Sequence, residues 1–327
     1  NFPTFDTADY QFIQEIGRGN YGCAKLCKDR NTEKKVVIKT LFSNNLDINV
    51  IREIDIMNRL HHPCLIALFA TDIDESDEDS AEISLLMPYL CNNSLEDAMK
   101  KTKNQKWDIT AKMKALYGIA AGMAYMHSLK AIHRDLKPSN ILLDENYEIR
   151  ISDFGLSRFS NEGNKVLTNC IGTPYYMAPE LLSDDPYDEK IDVYAYAIIL
   201  YQILYKYDLP LVRNEFQLFS RVIQGQRLPL NEFDFQYGQG LFDLITQCWV
   251  GSSASRPSFA DILKLIPNML PHDVDVGAFT EYARRVNPNF DKENKKLRAK
   301  TFSPSKKQPL IPKDKKQRFL IDSNFME

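Results

Sequence analysis

The chain holds no Cys-x-x-Cys pair, and none of its five histidines stands at metal-ligating spacing. Its six cysteines are scattered at positions 23, 27, 64, 91, 170 and 248. That pattern argues against a disulfide scaffold and a structural zinc site, and it suits a reducing compartment, the cytoplasm with the nucleus as a second location. No apolar run reaches the roughly 20 residues that a membrane-spanning helix requires. The longest, IDVYAYAIILYQIL at 191–204, carries Asp192 in its first turn and reads as a helix buried in a large core. No G-x-x-x-x-G-K-[ST] string occurs, so the P-loop form of nucleotide binding has no support. No repeat at solenoid spacing is visible. The first residue is Asn and not Met, so the sequence is expected to be a piece of a longer chain.

What is present is enough for a sizeable core. With 327 residues, 44% of them hydrophobic, the chain can fold as one large domain or two lobes, and disorder throughout is excluded. The net charge of −3 conceals an asymmetry. Residues 284–318 hold thirteen Lys or Arg against three Asp or Glu, an excess of ten, so the remainder carries about −13.

From Tyr10 to Tyr89 the texture is strand-like: YQFIQEIG, GCAKLCKD, KKVVIKTLF, CLIALFATDI and AEISLLMPY are separated by turn chemistry such as RNTEKK. One helix interrupts them, where Val50, Ile54, Met57 and Leu60 recur at helical spacing before Pro63. The acidic run TDIDESDEDSAE reads as a solvated hairpin tip, with a basic partner as the other reading. After Tyr89 the pattern turns helical, and AKMKALYGIAAGMAYMH sets Met113, Leu116, Ala120, Met123 and His127 on one core-facing stripe. Short strands are expected around AIHRD, NILLD and EIRISD, then a polar loop from Phe159 to Cys170, then helices to about Met269. Such a chain reads as a small strand-rich lobe and a larger helical lobe with a cleft between them. Residues 291–318, rich in Pro, Lys and Ser, are expected to be flexible and to dock on an anionic or regulatory partner or on the acidic body.

GRGNYG places Gly17, Gly19 and Gly22 in a G-x-G-x-x-G pattern after a strand. A dinucleotide fingerprint should open a helix, whereas here a second and third strand follow. A glycine-rich hairpin folding over phosphates and a plain tight turn both fit. Lys39 ends the apolar strand VVIK, and Glu53 on the following helix is a suitable partner for it, either at a cleft or as an ordinary surface pair.

HRDLKPSN at 133–140, followed by ISDFG ending at Gly155, resembles a eukaryotic protein kinase. GTPYYMAPE at 172–180, DVYAYAIIL at 192–200 and CWVGSSASRPSF at 248–259 continue the resemblance in the family's order, over residues 8–268. It implies an α+β, bilobal fold: a small, mostly antiparallel β lobe with one main helix, and a large, mostly helical lobe. The expected divisions are a lead-in at 1–9, the small lobe at 10–88, the large lobe at 89–270 and a basic, partly disordered extension at 271–327.

The resemblance also implies roles. Asp135 is expected to accept or orient the substrate hydroxyl proton, with Lys137 as the cation beside it. Asn140 and Asp153 are expected to hold Mg²⁺, with Mn²⁺ as a substitute. Lys39 would hold the α and β phosphates of ATP, Glu53 would fix Lys39, and the three glycines would form a lid. Phosphoryl transfer needs such residues, because an anionic donor must be neutralised and positioned while little covalent work is left to the protein. His133 and Phe154, ahead of Gly155, would belong with Met57 and Leu68 to a stack joining the lobes, anchored by Asp192. Glu180 and Arg256 would form a buried ion pair.

The adenine site implied by the resemblance takes in Ile16, Ala24, Val37, Met87, Pro88, Leu90 and Leu142. Here the family's usual valine is replaced by Ala24 and its alanine by Val37, two changes that roughly conserve volume, so the pocket is expected to be reshaped but open. Met87 falls at the gatekeeper position. Pro88 lacks an N–H but keeps its carbonyl for the adenine amino group, and Leu90 supplies an N–H. Lys137 and Thr173 resemble serine/threonine kinases. The Cys-Trp and Arg-Pro-Ser-Phe strings resemble tyrosine kinases and the tyrosine-kinase-like group of serine/threonine kinases, so that group is the expected placement. Arg134 before the catalytic aspartate implies control by loop phosphorylation, with Thr168 first and Ser160 second as acceptors. Dual specificity, a nucleotide-binding pseudokinase or scaffold, and nucleic-acid binding by the basic tail are the competing readings. The tail has no interleaved aromatics, which weakens the last.

Overall fold

The computed structural model describes residues 3–19, 22–41, 48–77, 80–100, 107–159, 174–183, 185–205, 208–210, 214–230 and 237–301. It is bilobal, with a small antiparallel β lobe carrying one main helix and a larger helical lobe.

The small lobe is a sheet of β1 (Tyr10–Gly19), β2 (Gly22–Asp29), β3 (Lys35–Leu41), β4 (Ala70–Asp77) and β5 (Ser80–Pro88), in the order β1-β2-β3-β5-β4. Asp29 shapes the turn into β3 by accepting hydrogen bonds from the N–H groups of Asn31 at 2.8 Å and Thr32 at 3.1 Å. Strand periodicity then sorts β3. Val36 and Ile38 face a satellite cluster with Cys27, Ala70 and Leu86, while Val37, Lys39 and Leu41 take the opposite face. Helix α1 (Ile48–Arg59) buries Ile54, Ile56 and Met57 in the principal core, and Leu60 follows them just past its end.

The expected strand over CLIALFATDI begins only at Ala70. Residues 64–66 are committed elsewhere: the Ile66 N–H donates to the Ile151 carbonyl at 2.8 Å, and the Ile151 N–H donates to the Cys64 carbonyl at 2.8 Å. This stretch is therefore stitched to the large lobe before the chain can pair with β5.

The large lobe is built on two helices buried around most of their circumference, α3 (Ile109–Ser128) and α5 (Lys190–Leu204). The single stripe expected on α3 is too narrow a reading, since Ala115 through Met123 are all buried. A helix at the centre of a lobe has no solvent side. Around these two lie α2 (Leu95–Lys100), α4 (Pro179–Leu182), α6 (Glu215–Ile223), α7 (Gln239–Cys248) and α8 (Phe259–Leu265). The short strands β6 (Ala131–Ile132), β7 (Ile141–Leu143), β8 (Ile149–Ile151) and β9 (Arg158–Phe159) form two ribbons on the side facing the small lobe, β6 with β9 and β7 with β8.

Two helices follow, α9 (Val276–Val286) and α10 (Phe290–Thr301). A helix thus runs to Thr301 where a flexible segment is expected from residue 291. Phe290 is buried edge-on to Tyr117, and Asn287 donates to Glu293 at 3.1 Å, so the start of α10 is anchored despite its polar sequence. The remainder of that segment, 302–318, lies outside the described residues. Among the described residues, no helix is long and apolar enough to cross a membrane.

Arg256 is fully buried and meets Glu180 through two parallel bonds of 2.6 and 2.8 Å. Its other N–H groups donate to the carbonyls of Val250, Lys190 and Gly251. Removing one partner strands a charge away from water. Arg256→Ala is expected to destabilise the chain by about 3–5 kcal/mol in chemical denaturation; a midpoint equal to that of the unaltered chain contradicts this.

Candidate active site

The site forms where β3, α1, the loop 133–140 and the segment 152–155 meet. Lys39 from β3 places its Nζ 2.7 Å from Glu53 Oε1 on α1 and 3.7 Å from Asp153 Oδ1. Burial acts to depress the Lys39 ammonium, but the two carboxylates outweigh it and hold its pKa above the ordinary lysine value. Glu53 is buried, whereas the Asp153 side chain is 52% exposed and open to the cleft. Gly155 lets this segment approach α1, since a Cβ there would stand 3.3 Å from Glu53 Oε2.

Asp135 is gripped from two sides. Lys137 Nζ lies 2.7 Å from its Oδ2, and Asn140 Nδ2 donates to both its Oδ2 and its backbone carbonyl at 2.9 Å. The Asn140 carbonyl in turn accepts from the N–H and the hydroxyl of Ser152, at 2.8 and 2.9 Å, so the loop bearing Asp135 is tied to the segment bearing Asp153.

Below the loop lies Asp192. Its Oδ2 accepts from the His133 N–H and its Oδ1 from the Arg134 N–H, both at 2.9 Å, and His127 Nε2 stands 2.9 Å from Oδ2. Burial favours a neutral Asp192, but His127 and the backbone donors outweigh it and keep the carboxyl below its usual pKa. Arg134 and Asp153 both take positive φ, 71° and 64°, a costly conformation for non-glycine residues that clusters at functional sites. The Asp135 N–H donates to His133 Nδ1, so the ring hydrogen sits on Nε2, which donates to the Ser152 carbonyl at 3.1 Å. Both nitrogens of His133 are occupied. Its ring lies 5.5 Å from that of Phe154, which shares the principal core with Met57, and Leu68 packs against that core. Arg134 reaches the Leu156 carbonyl and the Tyr187 ring, and burial lowers its pKa, with Arg158 and Arg52 adding to the effect.

The predicted adenine residues group by strand register. Gly17 pairs with Ala24, Ala24 with Lys39, Val37 with Met87 and Val36 with Pro88, so Ala24, Val37, Lys39 and Met87 share one sheet face. Ala24, Val37, Met87, Pro88, Leu90 and Leu142 are all half-buried, and Ile16 is exposed. Gly22 is obligatory in this hairpin because a Cβ there would lie 2.4 Å from the Thr40 carbonyl, and it pairs with Gly19. Ser160, Thr168 and Thr173 lie outside the described residues.

Asn140 and Asp153 supply hard oxygen donors. The Asn140 amide nitrogen is committed to Asp135, which leaves its Oδ1 as a carbonyl ligand. This set fits Mg²⁺, which is bound by few protein oxygens together with substrate phosphates rather than by an all-protein cage. No group of three or more His, Cys, Asp or Glu able to hold a metal occurs among the described residues. Sequence reasoning missed the ties made by Ser152 and His127. The position of His127 on a core stripe, six residues ahead of His133, was the available signal.

The family described as Protein kinase domain matches residues 10–265. A putative serine/threonine-protein kinase/receptor, R826, of Acanthamoeba polyphaga mimivirus is 32% identical over 80% of this chain and 15% of its own length. The probable serine/threonine-protein kinase drkD of Dictyostelium discoideum is 31% identical over 78% of this chain and 19% of its own. The dual specificity protein kinase shkB of the same organism is 31% identical over 78% of this chain and 39% of its own. The chain thus spans well under half of the length of each of these relatives.

Glu53→Gln removes the nearer of two attracting carboxylates while burial and Asp153 remain, so the Lys39 pKa is expected to fall from its raised value. In the unaltered chain the raised pKa means that the Lys39 contribution to stability is complete below pH 10.5 and is lost as pH rises through the folded value. The pH dependence of Lys39 acylation, followed by mass spectrometry, measures the ionisation, and denaturation midpoints over the same pH range measure the stability; a Glu53→Gln chain whose Lys39 titrates where it does in the unaltered chain contradicts this balance.

Proposed function

The chain belongs to the protein kinase domain family, and on that premise we propose that it is a serine/threonine kinase transferring the γ-phosphoryl of Mg-ATP to protein hydroxyl groups. The observation that carries this reading is the Lys39–Glu53 contact of 2.7 Å beside Asp153, adjoining the Asp135, Lys137 and Asn140 cluster. A pseudokinase that had lost its chemistry would be expected to lack one of these groups, and all are present.

Mg-ATP supplies the phosphoryl group and the cation that screens its charge. Asn140 and Asp153 would hold the metal through oxygen. Lys39, kept cationic by Glu53, holds the phosphates, while Gly17, Gly19 and Gly22 let the hairpin backbone approach them. Asp135 orients the incoming Ser or Thr hydroxyl and takes its proton as the new O–P bond forms and ADP departs. Lys137, already beside Asp135, steadies the charge of the transferred group. The adenine ring would rest among Ala24, Val37 and Leu142, with the Pro88 carbonyl and the Leu90 N–H as its hydrogen-bonding partners and Met87 at the gate.

Lys137-Pro138-Ser139, together with the serine/threonine labels of the relatives, supports a Ser/Thr acceptor. The Cys248-Trp249 and Arg256-Pro257-Ser258-Phe259 strings support the tyrosine-kinase-like group. Dual specificity is the second reading, favoured by the likeness to shkB. Arg134, with Arg52 and Arg158 acting on it electrostatically, supports control by a phosphate on Thr168, which would add about −1.5 to −2 charge. Basic residues from Arg284 onward would favour an anionic or regulatory partner.

Asp135→Asn is expected to lower kcat by roughly 10²–10⁴-fold, and a peptide array should show transfer to Ser and Thr. Transfer to Tyr alone, or an Asp135→Asn rate equal to that of the unaltered chain, contradicts the assignment. Phosphatase treatment should reduce activity and ATP restore it, with Thr168→Ala blocking recovery; full activity after phosphatase rules out this control.

A further inference from the structure

The family match ends at Leu265, yet the chain goes on to pack α9 against the core. Phe279, Tyr282, Ala283 and Val286, on one face of α9, are all buried. Asp275 caps the helix through the Ala278 N–H at 2.9 Å, and its own N–H donates to Thr110 Oγ1 at 3.0 Å, which fixes where α9 begins against α3.

The surface that receives α9 is shaped for it. At Gly118 of α3 a Cβ would stand 2.1 Å from Tyr282 Oη, so any other residue would displace the tyrosine. One turn later, a Cβ at Gly122 would stand 3.2 Å from Cys64 Cβ and Leu65 Cδ2. The two glycines therefore seat α9 and the segment 61–66 side by side, and the two touch. Tyr282 Oη lies 3.6 Å from Cys64 Sγ. The Cys64 N–H donates to His62 Nδ1, so His62 Nε2 carries the hydrogen and donates to the Val286 carbonyl at 3.0 Å. His62 also stacks on Tyr125 of α3 at 5.2 Å.

Segment 61–66 is the direct continuation of α1, the Leu60 N–H still donating to the Ile56 carbonyl at 3.0 Å. Glu53 lies two turns upstream on the same helix. We propose that α9 is a strap that positions α1: Tyr282 and Val286 hold residues 62–64 on α3 and so keep Glu53 within reach of Lys39. This rests on the kinase reading given above. Tyr282 and His62 act as positioning residues, since neither belongs to the cluster around Asp135. Without a strap the lower end of α1 would be held by α3, through Tyr125, and by the Ile151 backbone of β8, whereas here a backbone carbonyl and a phenol beyond the family match complete that seat.

The test uses the full chain with Tyr282→Ala, Tyr282→Phe and His62→Leu, and with Glu281→Gln on the exposed face of α9 as a control. Backbone hydrogen exchange and the kcat and KM for a peptide substrate are read together. In Tyr282→Ala and His62→Leu, exchange over 51–66 should quicken roughly tenfold or more while α5 and α7 keep their rates. In the same variants kcat should fall roughly ten- to a hundredfold with peptide KM little changed. Tyr282→Phe, which keeps the ring, should restore most of both values, and Glu281→Gln should match the unaltered chain. Exchange that quickens only in α9 and α3, that quickens evenly everywhere, or that does not change overturns the strap. If Tyr282→Ala does not fold, His62→Leu and Tyr282→Phe decide by the same readout. An unaltered chain that transfers no phosphoryl group refutes the kinase reading, and the exchange result still stands or falls by itself.

Discussion

The carboxylate of Asp192 is the contact on which the site depends. It is buried in the first turn of α5, where the helix dipole favours negative charge, and it accepts hydrogen bonds from two consecutive backbone N–H groups, those of His133 and Arg134. Those two bonds help hold Arg134 at positive φ, a conformation that the chain would not keep unassisted, and the next residue presented to the cleft is Asp135. An ionised carboxylate survives there because His127 and the backbone donors satisfy it. Helix α5 can carry this burden because it is apolar around its circumference and is locked among α3 and α7 in the principal core.

From Asp192 the order passes upward through short hydrogen bonds. His133 donates to Ser152, Ser152 donates to Asn140, Asn140 donates to Asp135, and Asp153 follows Ser152 directly. The last step, from Asp153 to Lys39, spans the two lobes and is longer, at 3.7 Å. Glu53 supplies the tighter hold on Lys39, which makes the placement of α1 the most consequential variable in the small lobe. The two attachments of α1 differ in kind. Its apolar face shares a core with Phe154, a non-directional contact that tolerates sliding, whereas the segment after it is stitched by directional bonds to β8, α3 and α9.

Much of this was legible along the chain. The pairing of β3 with a helix bearing Glu53 follows from a lysine at the end of an apolar strand, and HRDLKPSN and ISDFG are compact strings whose members act within a few residues of one another. The misreadings have a common origin. The segment 64–69 is apolar enough to resemble a strand, but its Cys64 carbonyl and Ile66 N–H are taken by Ile151 and its Leu65 N–H by His62. Helix α3 presents a stripe at helical spacing, yet it is enclosed by α5, α8, α9 and the short strands, so its other faces are buried too. The start of α10 looks soluble and unanchored because its anchor, Tyr117, is far away in sequence.

The sequence by itself determined the chemical groups, their order and the two-lobed division, because hydrophobic periodicity and short motifs are local properties of a chain. Resemblance extended this to the long-range pair of Glu180 and Arg256. Only the tertiary structure decided that the lower end of α1 is held from beyond the family match, through Tyr282 and Cys64, 218 residues apart. No local pattern encodes such a contact. It exists because glycines at 118 and 122 clear two adjacent seats on one helix, and which side chains fill them is settled only when the helices pack.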